Sequence, residues 1–180
     1  MTTATQPITA EQLIELPSGE FRYELVKGEL FTMSPSGEEH GAVTMKIAFR
    51  LAQFIEHHEL GVIYGAETGF KLESDPDTVL APDVAFIRRE RITTLSKSYR
   101  IGAPDLAVEV ISPRESKRKI EQKTTRWLQG GALAVWNVYP DSRTVNVHHL
   151  NIEPKVLLEK DDLTDEVLPG FRLPLSQIFF

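Results

Sequence analysis

The feature that most constrains the fold of this chain is a short apolar segment, residues 105–113. It reads Asp-Leu-Ala-Val-Glu-Val-Ile-Ser-Pro, which is typical of a buried strand interrupted only by Glu109. A carboxylate buried in a sheet costs several kcal/mol unless a cation or another polar group accompanies it. A second segment, residues 81–87, places Asp83 at the start of another apolar strand. The sequence therefore predicts two core strands that each carry an acid and need a partner for it.

Composition indicates the class of protein. With 180 residues, 41% of them hydrophobic and 26% charged, the chain is typical of a soluble globular domain. We expect a flexible tail over residues 1–8 and one domain over residues 9–180. No apolar run is long enough to span a membrane, and residues 1–7 lack the features of a signal peptide. The absence of cysteine excludes disulfides and cysteine-bound zinc, and it fits a cytoplasmic location.

Charge is distributed unevenly along the chain. The net charge of -6 argues against a generally basic protein that binds nucleic acid. Residues 88–100 and 114–126 nevertheless each carry a net charge of +4 and flank the two strands with acids. Such segments suit a local surface that faces phosphates, although two solvated faces would explain the charge equally well. The candidate phosphate contacts are Arg88, Arg89, Arg114, Lys117 and Lys119.

Periodicity and capping signals predict the secondary structure. The predicted helices cover Thr9–Leu16, Gly37–His58 and Ser112–Gln129, the last with Ser112 as its N-cap, Pro113 at its first position and Glu115 closing a capping box. The predicted strands cover residues 23–26, 29–33, 62–64, 68–72, 83–87, 106–111, 132–138 and 143–150. The first two form a hairpin, residues 73–80 form a polar loop, and residues 151–180 form a short hairpin with a C-terminal extension. This order indicates an α/β or α+β fold, a mixed sheet with helices on its faces.

Side-chain alternation brings the chemistry to one face of the sheet. Along these strands Glu109 shares a face with Ala107, and Asp83 shares a face with Ala85. If the strands are adjacent, the two carboxylates converge at one end of the sheet and repel one another. A divalent cation removes that repulsion, and hard oxygen ligands suit Mg²⁺ or Mn²⁺.

A lysine on the following helix completes the predicted site. Lys123 lies one turn from Ile120 and from Trp127, on the edge of the apolar helix face, so its ammonium could reach the acids. There it could orient a water molecule or stabilise charge on a phosphate. Lys119 competes for this role and Gln122 is a weaker candidate. Possible accessory residues are Glu24, His40 and Glu67. The alternatives are a structural ion pair for Glu109, a turn cap for Asp83 and an ordinary surface lysine for Lys123.

These residues resemble a known family. Asp83, the segment Val-Glu-Val-Ile-Ser-Pro at 108–113 and a lysine on the next helix resemble the Uma family of predicted endonucleases, in the PD-(D/E)XK restriction-endonuclease-like group. The likeness extends to residues 23–30, 34–37 with His40, 65–70 and Trp136, and it spans roughly residues 10–150. It implies a central mixed sheet flanked by helices, with Asp83, Glu109 and the Val110 carbonyl as metal ligands. The group's lysine stands two residues after the glutamate, where this chain has Ile111. Lys123 would replace it from the helix.

The sequence therefore predicts a Mg²⁺- or Mn²⁺-dependent endonuclease that acts on nucleic acid, with DNA favoured. The catalytic residues would be Asp83, Glu109 and Lys123. One alternative is an inactive binding module that keeps the fold and uses the acids structurally. Another is a metal-dependent hydrolase of a different substrate. A homodimer is plausible because breaking two strands requires two sites, and no membrane partner is expected.

Overall fold

The structure is a computed structural model that describes residues 7–17 and 21–180. The helices of this part of the chain are α1 (Ala10–Ile14), α2 (Glu38–His57) and α3 (Lys117–Gln129). The strands are β1 (Arg22–Val26), β2 (Glu29–Met33), β3 (Gly61–Gly65), β4 (Phe70–Glu73), β5 (Thr78–Leu80), β6 (Val84–Arg88), β7 (Arg100–Ile101), β8 (Leu106–Val110), β9 (Ala134–Tyr139), β10 (Thr144–His149), β11 (Ile152–Leu158), β12 (Asp162–Leu163) and β13 (Leu173–Pro174). Short 3₁₀ helices cover Arg89–Arg91 and Leu175–Gln177.

The described residues form two large sheets and a two-stranded sheet of β12 and β13. The larger has the strand order β11-β10-β9-β8-β6-β3, and the smaller has the order β2-β1-β5-β4-β7. In the larger sheet β8 and β9 run parallel, whereas β6 and β8 run antiparallel, so the sheet is mixed. The predicted fold class, a central mixed sheet with helices and an N-terminal hairpin, is confirmed. The hairpin of β1 and β2 forms the edge of the smaller sheet.

Each face of the larger sheet packs on its own helix. One apolar stripe of α2 is buried and consists of Val43, Ile47, Leu51 and Ile55. This stripe packs on Val84, Phe86 and Val108, which alternate with the residues of the opposite face. On that opposite face, Trp127 of α3 packs with Ala85 and Ala107. The small alanines leave space for polar side chains beside α3, and the candidate site lies there.

The start of α3 differs from the prediction. The structure places the N-cap at Ser116, whose side chain accepts a hydrogen bond from the Lys119 backbone N–H. Residues 112–115 form a turn instead, closed by a bond from the Glu115 N–H to the Ser112 carbonyl. The Ser112 start was wrong because two serines four residues apart offer competing caps. The turn carries Pro113, Arg114 and Glu115 along the rim of the site.

This correction leads to a stability prediction. Ser116→Ala is expected to lower the free energy of unfolding by about 1 kcal/mol, since it removes the N-cap acceptor. Ser112→Ala serves as the matched control and is expected to change it by less than about 0.5 kcal/mol. Urea unfolding followed by circular dichroism measures both. A larger loss in Ser112→Ala than in Ser116→Ala would contradict the assigned helix start.

Two other segments also differ from expectation. The polar loop predicted at 73–80 contains β5, which is fully buried and pairs with β1 and β4. The acidic turn before β5 made the whole segment look like a loop, so the three-residue strand from Thr78 to Leu80 was not predicted. Beyond residue 150, the seven-residue strand β11 pairs with β10 and forms an edge of the larger sheet, which the sequence did not predict. The short hairpin predicted there corresponds to β12 and β13.

The N-terminal boundary is only partly described. Most of the flexible tail predicted at 1–8 lies outside the described residues. Ile8, however, donates its backbone N–H to the Gly28 carbonyl at 2.9 Å and packs beside α1, so it belongs to the folded part. We infer that residues 9–180 form one domain, because side chains from both sheets meet at a single lysine of α3. In the described part of the chain, no helix has the length and apolar character needed to cross a membrane.

Candidate active site

Asp83 immediately precedes β6, whose first residue, Val84, pairs with Val108 of β8. Its backbone N–H donates to the Val108 carbonyl at 3.0 Å, continuing the ladder of the two strands. Its side-chain Oδ2 accepts a hydrogen bond from the Val110 backbone N–H at 2.8 Å. The carboxylate therefore bonds to Val110, in the part of β8 that lies beyond its pairing with β6. This position holds Asp83 next to the strand that carries Glu109.

Glu109 points from β8 towards α3, as alternation predicts. The Trp127 indole Nε1–H donates to Oε1 at 2.7 Å, and Lys123 Nζ donates to Oε2 at 3.0 Å. The side chain is buried among these donors. The cost of burying this carboxylate is thus offset by one cation and one neutral donor.

Lys123 joins the two sheets at this site. Its ammonium lies 2.9 Å from Glu24 Oε1 and 3.0 Å from Glu109, and it donates to the Ala81 carbonyl at 3.3 Å. Glu24 comes from β1 in the smaller sheet and also accepts from the Ala81 N–H at 3.0 Å. Glu24, an accessory candidate from the sequence, is therefore as close to Lys123 as Glu109 is.

His40 approaches Asp83 from the first turns of α2. Its Nε2 lies 3.2 Å from Asp83 Oδ2. That hydrogen bond raises the pKa of His40 above its ordinary value, although partial burial opposes the change. Burial tends to raise the pKa of Asp83, but the hydrogen bond and charge of His40, with the Val110 N–H, hold it below its ordinary value. Asp83 is consequently an anion at neutral pH, paired with a basic imidazole.

The protonation of Glu109 is perturbed in the opposite direction. Burial, together with the negative charges of Asp83 and Glu24, raises the pKa of Glu109 to about 8 despite the opposing charge of Lys123. Burial lowers the pKa of Lys123, but the two glutamates outweigh it and raise that pKa above its ordinary value. At pH 7 the site therefore holds a firmly charged lysine and a Glu109 that is easily protonated. Strongly shifted groups of this kind cluster at functional sites.

A cavity of about 1000 Å³ opens in front of these residues. Asp83, Glu109 and Lys123 line it, together with His40. Arg114 and Lys119 also line it and are exposed, so these two predicted phosphate contacts lie at the cavity.

Three other residues proposed from the sequence lie away from it. Lys117 is exposed and pairs with Glu121 at 3.8 Å, and Gln122 is exposed. Arg88 ends β6, about 16 Å along the strand from Asp83 at the usual rise per residue.

Arg88 and its neighbours form ion pairs away from the acidic site. Arg89 bonds to Glu59 at 3.3 Å, and Arg88 together with Arg91 contacts the buried Asp105. The structure therefore does not bring Arg88 and Arg89 to the acidic site, because β6 carries its acid at one end and its arginines at the other. Glu67, another accessory candidate, lies 3.5 Å from Arg22 at the rim of the cavity.

The donor set fits a hard cation in its chemistry. Among the described residues, no three His, Asp, Glu or Cys side chains form a group that could by itself hold a metal ion. The site instead offers two carboxylates, Asp83 and Glu109, and one carbonyl. The Val110 carbonyl faces the Asp83 side, because its N–H donates there and both groups of a strand residue point the same way. Two carboxylates with a carbonyl, completed by water and substrate phosphate, are ligands that Mg²⁺ accepts.

The contact of Trp127 with Glu109 was not predicted. The sequence placed Trp127 on the apolar face of the helix, and the indole ring is indeed fully buried there. Its N–H also needs a partner when buried. The spacing of four residues from Lys123, which puts both side chains over the same part of the sheet, was the available signal.

Comparisons with known proteins show the family and the fold of this chain. The sequence matches the model of the Uma2 family, described as "Putative restriction endonuclease", over residues 10–176. The fold is similar to a crystal structure described as "a putative nuclease belonging to DUF820" from Anabaena variabilis ATCC 29413. The two share a TM-score of 0.81 and 21% sequence identity, over 96% of this chain and 98% of the other. No curated protein matches the sequence. At this identity, the structural likeness shows the shared fold.

Proposed function

Because this chain belongs to the Uma2 family, described as "Putative restriction endonuclease", we propose that it is a metal-dependent endonuclease that hydrolyses phosphodiester bonds of DNA. One observation carries the proposal: Lys123 contacts both Glu109 and Glu24 on the wall of a cavity that Asp83 also lines. A Glu109 whose pKa is raised to about 8 and an Asp83 whose pKa is held below its ordinary value, beside a fixed cation, are more than a fold needs for stability.

Asp83, Glu109 and the Val110 carbonyl would hold Mg²⁺ or Mn²⁺ in this proposal. The ion would neutralise the scissile phosphate and activate a water molecule for attack on phosphorus. His40 would act as a positioning residue, since its hydrogen bond keeps the Asp83 carboxylate oriented and ionised.

Lys123 has a separate role. Its ammonium would stabilise negative charge that develops on the phosphate oxygens, or orient the attacking water. Its raised pKa keeps it charged throughout the physiological range. Glu24 fixes the ammonium in place through the 2.9 Å contact, which makes Glu24 a positioning residue.

Arg114 and Lys119 would bind phosphates next to the cleaved bond, because both lie exposed on the rim of the cavity. Contacts of this kind make binding weaker at higher salt. Lys117 lies on α3, as Lys119 does, but outside the cavity lining, and it therefore provides a matched comparison for Lys119. Lys119→Ala should lower both DNA affinity and its salt dependence more than Lys117→Ala does.

Cleavage of supercoiled plasmid tests the proposal directly. Purified protein is expected to nick DNA with Mg²⁺ or Mn²⁺ and to be inactive in EDTA. Asp83→Ala is expected to lose this activity because it removes one of two carboxylate ligands. Wild-type protein that leaves DNA and RNA intact across several divalent metals would contradict the enzymatic function.

The alternative, an inactive module that uses the acids structurally, rests on the same ion pairs. Both carboxylates already have protein donors, so the pairs can exist without a cation. Calorimetry separates the two functions. A nuclease should bind Mn²⁺ and lose that binding in Glu109→Gln, whereas a structural pair should bind no metal. The choice of DNA over RNA, the homodimer and the cytoplasmic location stay predictions.

A further inference from the structure

The cavity at the candidate site has two chemically different walls. The wall described above carries the carboxylates, Lys123 and the rim cations. The remaining lining is mainly apolar or aromatic and comes from α1, the hairpin and the segment before β7. Its main members are Leu13, Ile14, Phe21, Tyr23, Met33 and Tyr99. A site that took only a phosphate and a cation would not need this second wall.

Tyr99 is the best defined member of that wall. A Cβ atom added at Gly69 would lie only 2.3 Å from Tyr99 Cδ1 and 2.6 Å from Cε1. The absence of a side chain at Gly69 therefore lets the aromatic ring lie against the backbone there. Burial raises the pKa of the Tyr99 hydroxyl, so the ring stays neutral at physiological pH. Tyr99 remains partly exposed and lines the cavity. It therefore offers a neutral aromatic ring that is held in place against Gly69.

The size of the cavity limits what can enter it. A volume of about 1000 Å³ lies at the upper end of pockets that take small ligands, roughly 300–1000 Å³. The cavity is partly open to solvent, so a nucleotide or two can enter it while the rest of the strand stays outside. In an intact duplex, the bases are stacked in the interior of the double helix and would not reach the aromatic wall of the cavity. A base that has left the stack would reach it, and an enzyme that takes a base into a pocket needs that base unpaired.

Resting on the nuclease function proposed above, we propose that the substrate is DNA with an unpaired nucleotide at the cleavage site. The base stacks on Tyr99, and the adjoining phosphate lies at the wall formed by Asp83, Glu109 and Lys123. Stacking on an aromatic side chain tolerates every base, because each base has a π-face. The site would then select the structure of the strand, such as a single strand, a flap or a bulge, and not a base sequence.

Binding measured by fluorescence anisotropy in EDTA tests this inference without cleavage. The probes are a labelled single-stranded oligonucleotide and the duplex of the same sequence. Wild-type protein is expected to bind the single strand at least about 10-fold more tightly. Tyr99→Leu is expected to weaken single-strand binding by about 5- to 100-fold, equivalent to the loss of one stacked base, and to leave duplex binding unchanged.

Two further variants sharpen the test. Gly69→Ala should reproduce the defect, because the added methyl group displaces the Tyr99 ring. Phe49→Leu changes an exposed aromatic side chain of α2 outside the cavity lining and should bind both probes like wild type. Thermal unfolding of each variant confirms that the binding defect does not come from loss of the fold.

The outcomes separate this inference from the proposed function. Cleavage of plasmid DNA with equal affinity for both probes, unchanged in Tyr99→Leu, would overturn the unpaired-base substrate and leave the nuclease standing. Failure to bind or cut any DNA would overturn both. A Tyr99→Leu defect in self-association, seen by analytical ultracentrifugation without a change in DNA binding, would assign the apolar wall to a second copy of the chain and overturn the inference.

Discussion

Glu109→Gln is expected to reduce metal-dependent DNA cleavage by more than about 100-fold. Loss of a residue that merely supports a metal ligand costs about 10- to 100-fold, and the loss of a ligand should exceed it. Glutamine has nearly the same shape, and its amide oxygen can still accept the hydrogen bond from Trp127. The fold should therefore survive. Plasmid nicking at saturating Mn²⁺ measures the effect, and activity within 10-fold of wild type would exclude Glu109 as a ligand.

The same variant should change how stability depends on pH. The pKa of Glu109 is about 8 in the folded protein, above the value near 4.5 of an ordinary glutamate. Between those two values the folded state binds more protons than the unfolded state, so this residue makes stability fall as pH rises. His40, whose pKa is also raised, adds to the decline above its own ordinary value of 6.5.

Glu109→Gln removes the first contribution and keeps the second. The free energy of unfolding of wild type should therefore fall more steeply from pH 5 to pH 8 than that of the variant, with EDTA in both samples. Urea unfolding at several pH values measures the two slopes. Equal slopes would show that Glu109 is ionised across this range.

Lys123→Met should produce the second large effect. It leaves Glu24 and Glu109 buried without their shared cation, and breaking a buried ion pair costs about 3–5 kcal/mol. Because 25% of the Lys123 side chain is exposed to solvent, we expect a smaller loss of stability, about 2–3 kcal/mol at pH 8. Cleavage should also be lost, since no other ammonium contacts these two carboxylates in the described residues.

Protonation of the two glutamates should reduce the loss of stability in Lys123→Met. At pH 5 the uncompensated carboxylates can take up protons, so the destabilisation should shrink. Lys117→Met, an exposed change on the same helix, serves as the control and should cost little at either pH. Adding Glu24→Gln to Lys123→Met should restore part of the stability at pH 8. A loss that is the same at both pH values and is not relieved by Glu24→Gln would contradict a role for charge.

Much of the site could be predicted because local periodicity determines it. Strand alternation places Glu109 towards α3, and helical spacing brings Lys123 over it. Both patterns depend only on residues that are close in sequence. The predicted closeness of Asp83 to β8 depended on strand adjacency, and the structure has the two strands side by side.

Features that depend on distant segments were harder to predict. The contact between Glu24 and Lys123 joins two sheets, and no local pattern specifies how the sheets meet. The prediction that Arg88 and Arg89 lie at the acidic site was wrong for a related reason. Charge runs show which residues lie near one another in sequence, but the five residues of β6 place Arg88 about 16 Å along the strand from Asp83. The packing of the Tyr99 ring against Gly69 likewise joins residues 30 positions apart in the chain.

The hydrogen bond from Trp127 to Glu109 gives this protein a built-in optical probe. The chain has two tryptophans, and the other, Trp136, donates to Asp165 and stacks on Phe171 outside the cavity lining. In a Trp136→Phe protein, all indole fluorescence would come from a ring bonded to the acidic site. Its emission should then respond to the charge on Glu109, so that ion binding and protonation could be followed in real time without any label.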